Sequence, residues 1–168
     1  MSNTALTLYT IGHSDHTQKE LLGLLRQYGI TTLVDVRSAP YSRWVPQFNK
    51  PALEPAVKAA GIRYAFQGDR IGGRPSDPSL YDSGQVEGRP NYEAVAATET
   101  FKTAISALLA LADGETLALM CSEGDYHQCH RSLLITPALL ERGARVLHIA
   151  PDGTTVEATI PPKQLSLL

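Results

Sequence analysis

Short apolar runs alternate along this chain with stretches whose apolar positions recur at helical spacing. The runs at 6–11, 31–36, 62–66, 116–121 and 144–149 predict strands, and 154–160 predicts a further edge strand. Between the first two, Thr17 and Glu20 form a capping box. Leu21, Leu22, Leu24, Leu25 and Tyr28 then follow at helical spacing until Gly29 stops the helix. Pro51 just inside a start and Gly61 just past an end frame a second helix over 52–60. A long helix begins near Asn91, carries Tyr92, Val95, Phe101, Ile105, Leu108 and Leu109 on one side, and ends at Asp113-Gly114. The last helix, over 131–141, is closed by Gly143.

Strands alternating with helices mean βαβ units. The expected class is α/β: a mainly parallel open sheet of about five strands with helices on both faces, a Rossmann-like three-layer sandwich. A chain of 168 residues without repeat or linker predicts one domain over 1–168. The irregular stretch is 72–90, GGRPSDPSLYDSGQVEGRP. It is long for a passive connection and predicts a lid or binding loop, with a disordered centre as the other reading.

Composition changes this picture in two ways. A hydrophobic content of 43% and a charged content of 19% are ordinary for a soluble globular protein. The segment MSNTALTLYTIG lacks a basic region followed by an apolar stretch, so no signal peptide is expected, and no run approaches the ~20 apolar residues that span a bilayer. Two cysteines without a secretory context predict reduced thiols and a cytoplasmic location. The net charge of −2 is uneven: from Arg37 to Arg89, eight basic residues face five acidic ones. Six of the eight are arginine, which suits bidentate recognition of phosphate or carboxylate. The excess is too small for a sequence-independent coat on DNA.

The densest chemistry lies in 117–131, LALMCSEGDYHQCHR. An apolar run ends at Cys121, a polar turn follows, and Cys129-His130-Arg131 opens the next helix. Three other polar clusters follow the earlier strands: Gly12-His13-Ser14, then Arg37-Ser38 with Arg43, then 70–74 with Gly73 and Arg74. In a parallel sheet all C-terminal strand ends share one edge, where ligands bind, so the four clusters are expected to converge there.

The pattern TIGHS (10–14), VDVRSAPYSRWVPQFN (34–49), IGGR (71–74) and C-x-E followed by CHR (121–131) resembles the family catalogued as domain of unknown function 488. The likeness spans most of the chain, including GARVLHI near the end. It implies membership more than biochemistry, since it carries no activity to transfer. Many members have a proline in the loop where this chain has Tyr126-His127.

Each feature has a functional and a structural reading. Cys121 is placed like the nucleophile of cysteine phosphatases and rhodaneses, yet His127 stands where a phosphatase needs arginine, and a buried cysteine also packs as a small apolar residue. Cys129, at a helix start beside His130 and Arg131, is a candidate thiolate or a packing residue. Arg131 beside helix N–H groups suits an anion. Arg37 suits a ligand, or an ion pair with Asp35. Glu123 is a general acid or base, or a solvated carboxylate. Trp44 and Phe48 stack on a base or pack in the core. His13, Cys121, Cys129 and His130 form a metal set only if two strand ends assemble it, because Cys-x7-Cys-His is not a zinc-finger spacing.

Together these predict an enzyme, hydrolase or transferase in type, acting on a phosphorylated or nucleotide-like anion. Arg37, Ser42, Arg43, Gly73, Arg74, Cys129, His130 and Arg131 are its expected binding residues. Cys121 or Glu123 is expected to do the chemistry, and His13 to assist proton transfer. A non-catalytic module binding a nucleotide or nucleic acid is one alternative. A metal or thiol-redox site on the Cys/His cluster is the other. The residues name no particular cofactor, and no membrane partner is expected.

Overall fold

In the computed structural model, which describes residues 4–159, successive residues of β4 (Leu117–Cys121) enter two different cores. Leu117, Leu119 and Cys121 join one, and Ala118 and Met120 join the other. Both faces are covered because β4 is central. The strand order is β3 (Arg63–Phe66), β2 (Thr32–Asp35), β4, β1 (Thr7–Gly12), β5 (Arg145–Ile149), β6 (Thr155–Glu157). All neighbours are parallel except β5 and β6, which pair antiparallel. The α/β class holds, with the expected edge strand as β6; Ile160 lies outside the described residues.

The helices are α1 (Gln18–Gln27), α2 (Lys50–Ala59), the single turn α3 (Gly68–Ile71), α4 (Tyr92–Ala97), α5 (Glu99–Ala112) and α6 (Thr136–Glu141). Leu21 and Leu25 of α1 and Leu53 and Val57 of α2 pack with Ile11, Leu33, Met120 and Phe48 on one face. Phe101, Ile105 and Leu108 of α5 and Leu139 of α6 pack with Leu8, Val34, Leu119 and Val146 on the other. Each fully buried Leu, Ile or Phe contributes about 1.5–3 kcal/mol, so these faces hold the three layers together. Among the described residues no helix is long and apolar enough to cross a membrane.

Two elements differ from expectation. The long helix breaks into α4 and α5 at Thr98, whose extended backbone ends one and caps the other. Its hydroxyl donates to the Val95 carbonyl at 2.8 Å and accepts the Phe101 N–H, so local bonds replace a continuous ladder. The helix over 131–141 starts as a π-helical turn, Arg131–Ile135, before α6. Pro137 offers no N–H and its ring crowds the carbonyl four residues back. The ladder widens there, and both the N–H and the hydroxyl of Thr136 reach the Arg131 carbonyl.

The 72–90 stretch is folded around Tyr81, which is buried and donates its hydroxyl to the Pro75 carbonyl at 2.8 Å. Asp77 caps a short turn at Pro78–Leu80, and the Asn91 N–H returns to the Leu80 carbonyl.

Candidate functional site

The strand ladder continues past its C-terminal edge and draws the four clusters together. The His13 N–H reaches the Cys121 carbonyl at 3.0 Å and the Ser14 N–H reaches the Ser122 carbonyl at 2.9 Å. On the other side of β4, Val36 N–H bonds the Met120 carbonyl at 3.0 Å. Glycines allow the close crossings. A Cβ on Gly12 would lie 1.6 Å from the Glu123 carbonyl oxygen, and one on Gly73 would lie 2.9 Å from the His130 ring.

The result is a crevice of about 410 Å³. Arg37, Ser38 and Ala39 line it from the end of β2, and Gly73 and Arg74 from the long loop. Cys121, Ser122 and Glu123 enter from β4, and Cys129 and His130 from the turn before the π-helical segment. A second pocket, about 300 Å³, lies between α6 and β5–β6, where His148, Leu133, Leu140 and Val156 contribute. It brings together no thiol and no arginine.

The two thiols are free and buried, with their sulfurs 2.9 Å apart. They differ in surroundings. The other sulfur and burial at the end of β4 push the Cys121 thiol well above its ordinary value, so it keeps its proton. Cys129 is held well below its ordinary value, first by its hydrogen bond with Cys121, against burial, then by His130 and the Arg131 N–H. His130 is fixed for this part. Its Nε2 lies 3.0 Å from the Val36 carbonyl, which can only accept, so Nε2 carries the proton. Nδ1 then presents its lone pair 3.7 Å from Cys129 Sγ. A thiol, a base and a carbonyl that orients the base stand in sequence, the arrangement that activates a nucleophile.

Arg131 lies behind the crevice and does not line it. It is fully buried; one terminal nitrogen donates to the Glu123 and Gly124 carbonyls at 3.0 and 3.1 Å, and the other to Thr10 Oγ1 at 3.3 Å. Thr10 Oγ1 also meets His148 Nδ1 at 2.6 Å across adjacent strands. Burial first, then the Arg131 charge, pushes His148 down to about 4. Arg131 thus fixes the loop that carries Glu123. Thr10 and His148 support it and were missed in the sequence. Their signal was two polar residues on apolar strands, Thr10 opposite His148.

Arg37 makes the ion pair with Asp35 at 2.9 and 2.8 Å and also reaches the crevice. Tyr64 donates its hydroxyl to the same carboxylate, and burial with this bond raises the Tyr64 pKa. His13 stands on the α1–α2 side, stacked on Phe48 at 4.6 Å, with Nδ1 2.9 Å from the Ser14 carbonyl. Burial lowers its pKa, and Nε2 finds no partner among the described residues. It does not line the crevice. Ser42 serves the turn instead: its N–H donates to Asn49 Oδ1 at 2.6 Å, and its hydroxyl accepts the Trp44 N–H. Arg43 is exposed, its guanidinium 4.6 Å from the centre of the Trp44 ring. Arg74 and Glu123 are exposed at the crevice, and the Arg74 N–H donates to Ser38 Oγ at 2.8 Å. Phe48 is core, whereas Trp44 is 79% exposed.

The four residues considered as metal ligands do not form one set. Cys121, Cys129 and His130 meet at the crevice, whereas His13 belongs to the opposite face. Among the described residues no cluster of three or more His, Cys, Asp or Glu is arranged to hold a metal ion.

A mainly parallel α/β sheet with a thiol–imidazole pair and two arginines at its C-terminal edge defines the class of this protein. Over residues 17–136 the chain matches the family model described as domain of unknown function DUF488, and it belongs to that family. The motifs at 34–49, 71–74 and 121–131 fall within the match, whereas TIGHS and GARVLHI lie outside it. No curated protein and no solved structure matches the chain.

Proposed function

We propose that this protein is a cytoplasmic enzyme in which the Cys129 sulfur attacks an electrophilic centre of a phosphorylated or nucleotide-like anion. The observation that carries this reading is the Cys129–His130–Val36 array opening on a crevice with Arg37 and Arg74. His130 takes the thiol proton, the sulfur bonds to the reacting centre, and the bond to the leaving group breaks. We assign the proton transfer to His130, since it faces the sulfur and His13 does not line the crevice. Arg74, exposed at the rim, receives the anion's charge, with Arg37 beside it. Glu123, at the same rim, is placed to serve as acid or base for the leaving group or an incoming water.

Alkylation rate against pH tests it. In the wild-type protein Cys129 is expected to react with iodoacetamide below pH 7, and His130→Gln is expected to move that titration upward toward the free value of about 8.5. Inorganic phosphate should slow the reaction, and Arg74→Ala should remove most of that protection. A Cys129 that stays inert until the protein unfolds would count against catalysis by thiol.

A second reading is favoured by a specific observation. Tyr41 and Trp44 are 62% and 79% exposed on the loop after β2, and Arg43 stacks on the Trp44 ring. Exposed aromatics beside arginine suit stacking on a nucleobase, and in this reading the anion is bound as part of a nucleotide or nucleic acid. Trp44 is the chain's single tryptophan, so its fluorescence reports directly. Quenching by nucleotides or single-stranded oligonucleotides is expected, and unchanged emission at saturating ligand would remove this reading.

A further inference from the structure

The attack assigned to Cys129 gives the Cys121 thiol no covalent step, yet the two sulfurs are in contact. Cys121 ends a rigid central strand, and Cys129 follows the short turn at Tyr126–Gln128, so one partner is fixed and the other sits on a loop. We propose that Cys129 and Cys121 form a reversible redox couple that answers hydroperoxides, with Cys129 as the attacking sulfur and Cys121 as the resolving one. The proposal rests on the reading of Cys129 as the nucleophile.

The chemistry balances in two steps. The Cys129 sulfur attacks one peroxide oxygen, an S–O bond forms, the O–O bond breaks, and the leaving oxygen takes the proton held on His130. Cys129 is then a sulfenic acid, and the hydroperoxide has become an alcohol or water. The Cys121 sulfur next attacks the Cys129 sulfur. The S–S bond forms, the S–O bond breaks, and hydroxide leaves as water with the Cys121 proton. Two thiols have been oxidised and one peroxide bond reduced. A small dithiol reverses the reaction by exchange.

Geometry makes the second step short. The sulfurs start 2.9 Å apart and end at about 2.05 Å, a closure of less than about 1 Å that a seven-residue loop can absorb. Both sulfurs are buried at the crevice, but only Cys129 faces His130, so the attack falls to Cys129 and the sulfenic acid forms within reach of its resolver. The disulfide removes the nucleophile, so the site would be silent while oxidised and restored by reduction.

The test treats reduced full-length protein with hydrogen peroxide and measures intact mass, free thiols and the peptide map. Loss of two hydrogens, loss of both thiols and a link between residues 121 and 129, all reversed by dithiothreitol, are expected. Cys121→Ser should instead hold one oxygen on Cys129, trapped by a sulfenic-acid reagent. Should that variant not fold, the wild-type mass still decides. Oxygen accumulating on Cys129 while Cys121 stays free, or links between chains, would overturn the couple. Alkylation of the reduced protein separates the two readings. A Cys129 reactive below pH 7 that never links to Cys121 defeats the couple alone, and one inert to both reagents defeats both.

Discussion

Two glycines show how far a single side chain reaches in this protein. Gly12 lies under the 122–124 backbone, where a Cβ would meet the Glu123 carbonyl oxygen at 1.6 Å, and that carbonyl also holds Arg131. Gly12→Ala must push the loop off the sheet, and a loss of more than about 2 kcal/mol in urea unfolding is expected, with slower alkylation of Cys129. Gly23, exposed within α1 with nothing within 4 Å of its Cβ position, is the counterpart: Gly23→Ala should add about 0.5–1 kcal/mol. Equal midpoints for the two variants would contradict this account of the edge. The same scale shows what was legible in the sequence. Both thiols, His130 and the arginines were visible as candidates, because such residues rarely crowd one loop for packing alone. Which sulfur the imidazole faces was not visible. It depends on the Val36 carbonyl, 94 residues from His130, turning Nδ1 toward Cys129.

At the scale of elements, the legible part was whatever local pattern determines. The capping box of Thr17 and Glu20 forms as expected, and the apolar runs become parallel strands whose loops leave one edge. That edge could be foreseen because parallel strands put successive C-terminal ends side by side. Which side chains enter the crevice could not, since side-chain direction alternates along a strand. His13 stacks on Phe48 on the α1–α2 side and stays out of it, whereas Arg37, beside Asp35 and Tyr64, reaches it and Cys121 enters from the α5–α6 side. The break at Thr98 and the π-helical turn before Pro137 were also hidden. Each replaces a regular bond by one from a threonine hydroxyl, a local competition that apolar spacing does not register. The π-helical turn bears on the site, because it begins at Arg131, directly after the Cys129-His130 pair. Widened turns of this kind recur at functional sites, where they re-aim side chains.

Across the whole molecule, the buried imidazoles set how the fold answers acid. His148 is pushed down to about 4 from its ordinary 6.5, by burial and then by the Arg131 charge, and His13 is lowered by burial as well. A base whose folded pKa lies below its unfolded one binds fewer protons folded than unfolded between the two values. Its contribution is therefore fully present above about pH 6.5 and is lost as pH falls toward 4. The lowered carboxylates, Glu20, Asp77, Glu115, Asp125 and Asp152, are lost only below their ordinary range, so the histidine window lies above theirs. From pH 7.5 to pH 4.5, His148 should account for about 2–3 kcal/mol of lost stability, taking about 1.4 kcal/mol for each pKa unit. Protonation would place a second buried cation beside Arg131 and disturb the hydrogen bond to Thr10, loosening the segment that carries Glu123. Urea midpoints of the wild type and His148→Gln at the two pH values make the measurement. The variant is expected to begin less stable at pH 7.5 and to lose less on acidification. A wild-type midpoint that holds steady down to pH 4.5, or a variant that falls as steeply, would show that His148 does not couple the protonation of the sheet to its C-terminal edge.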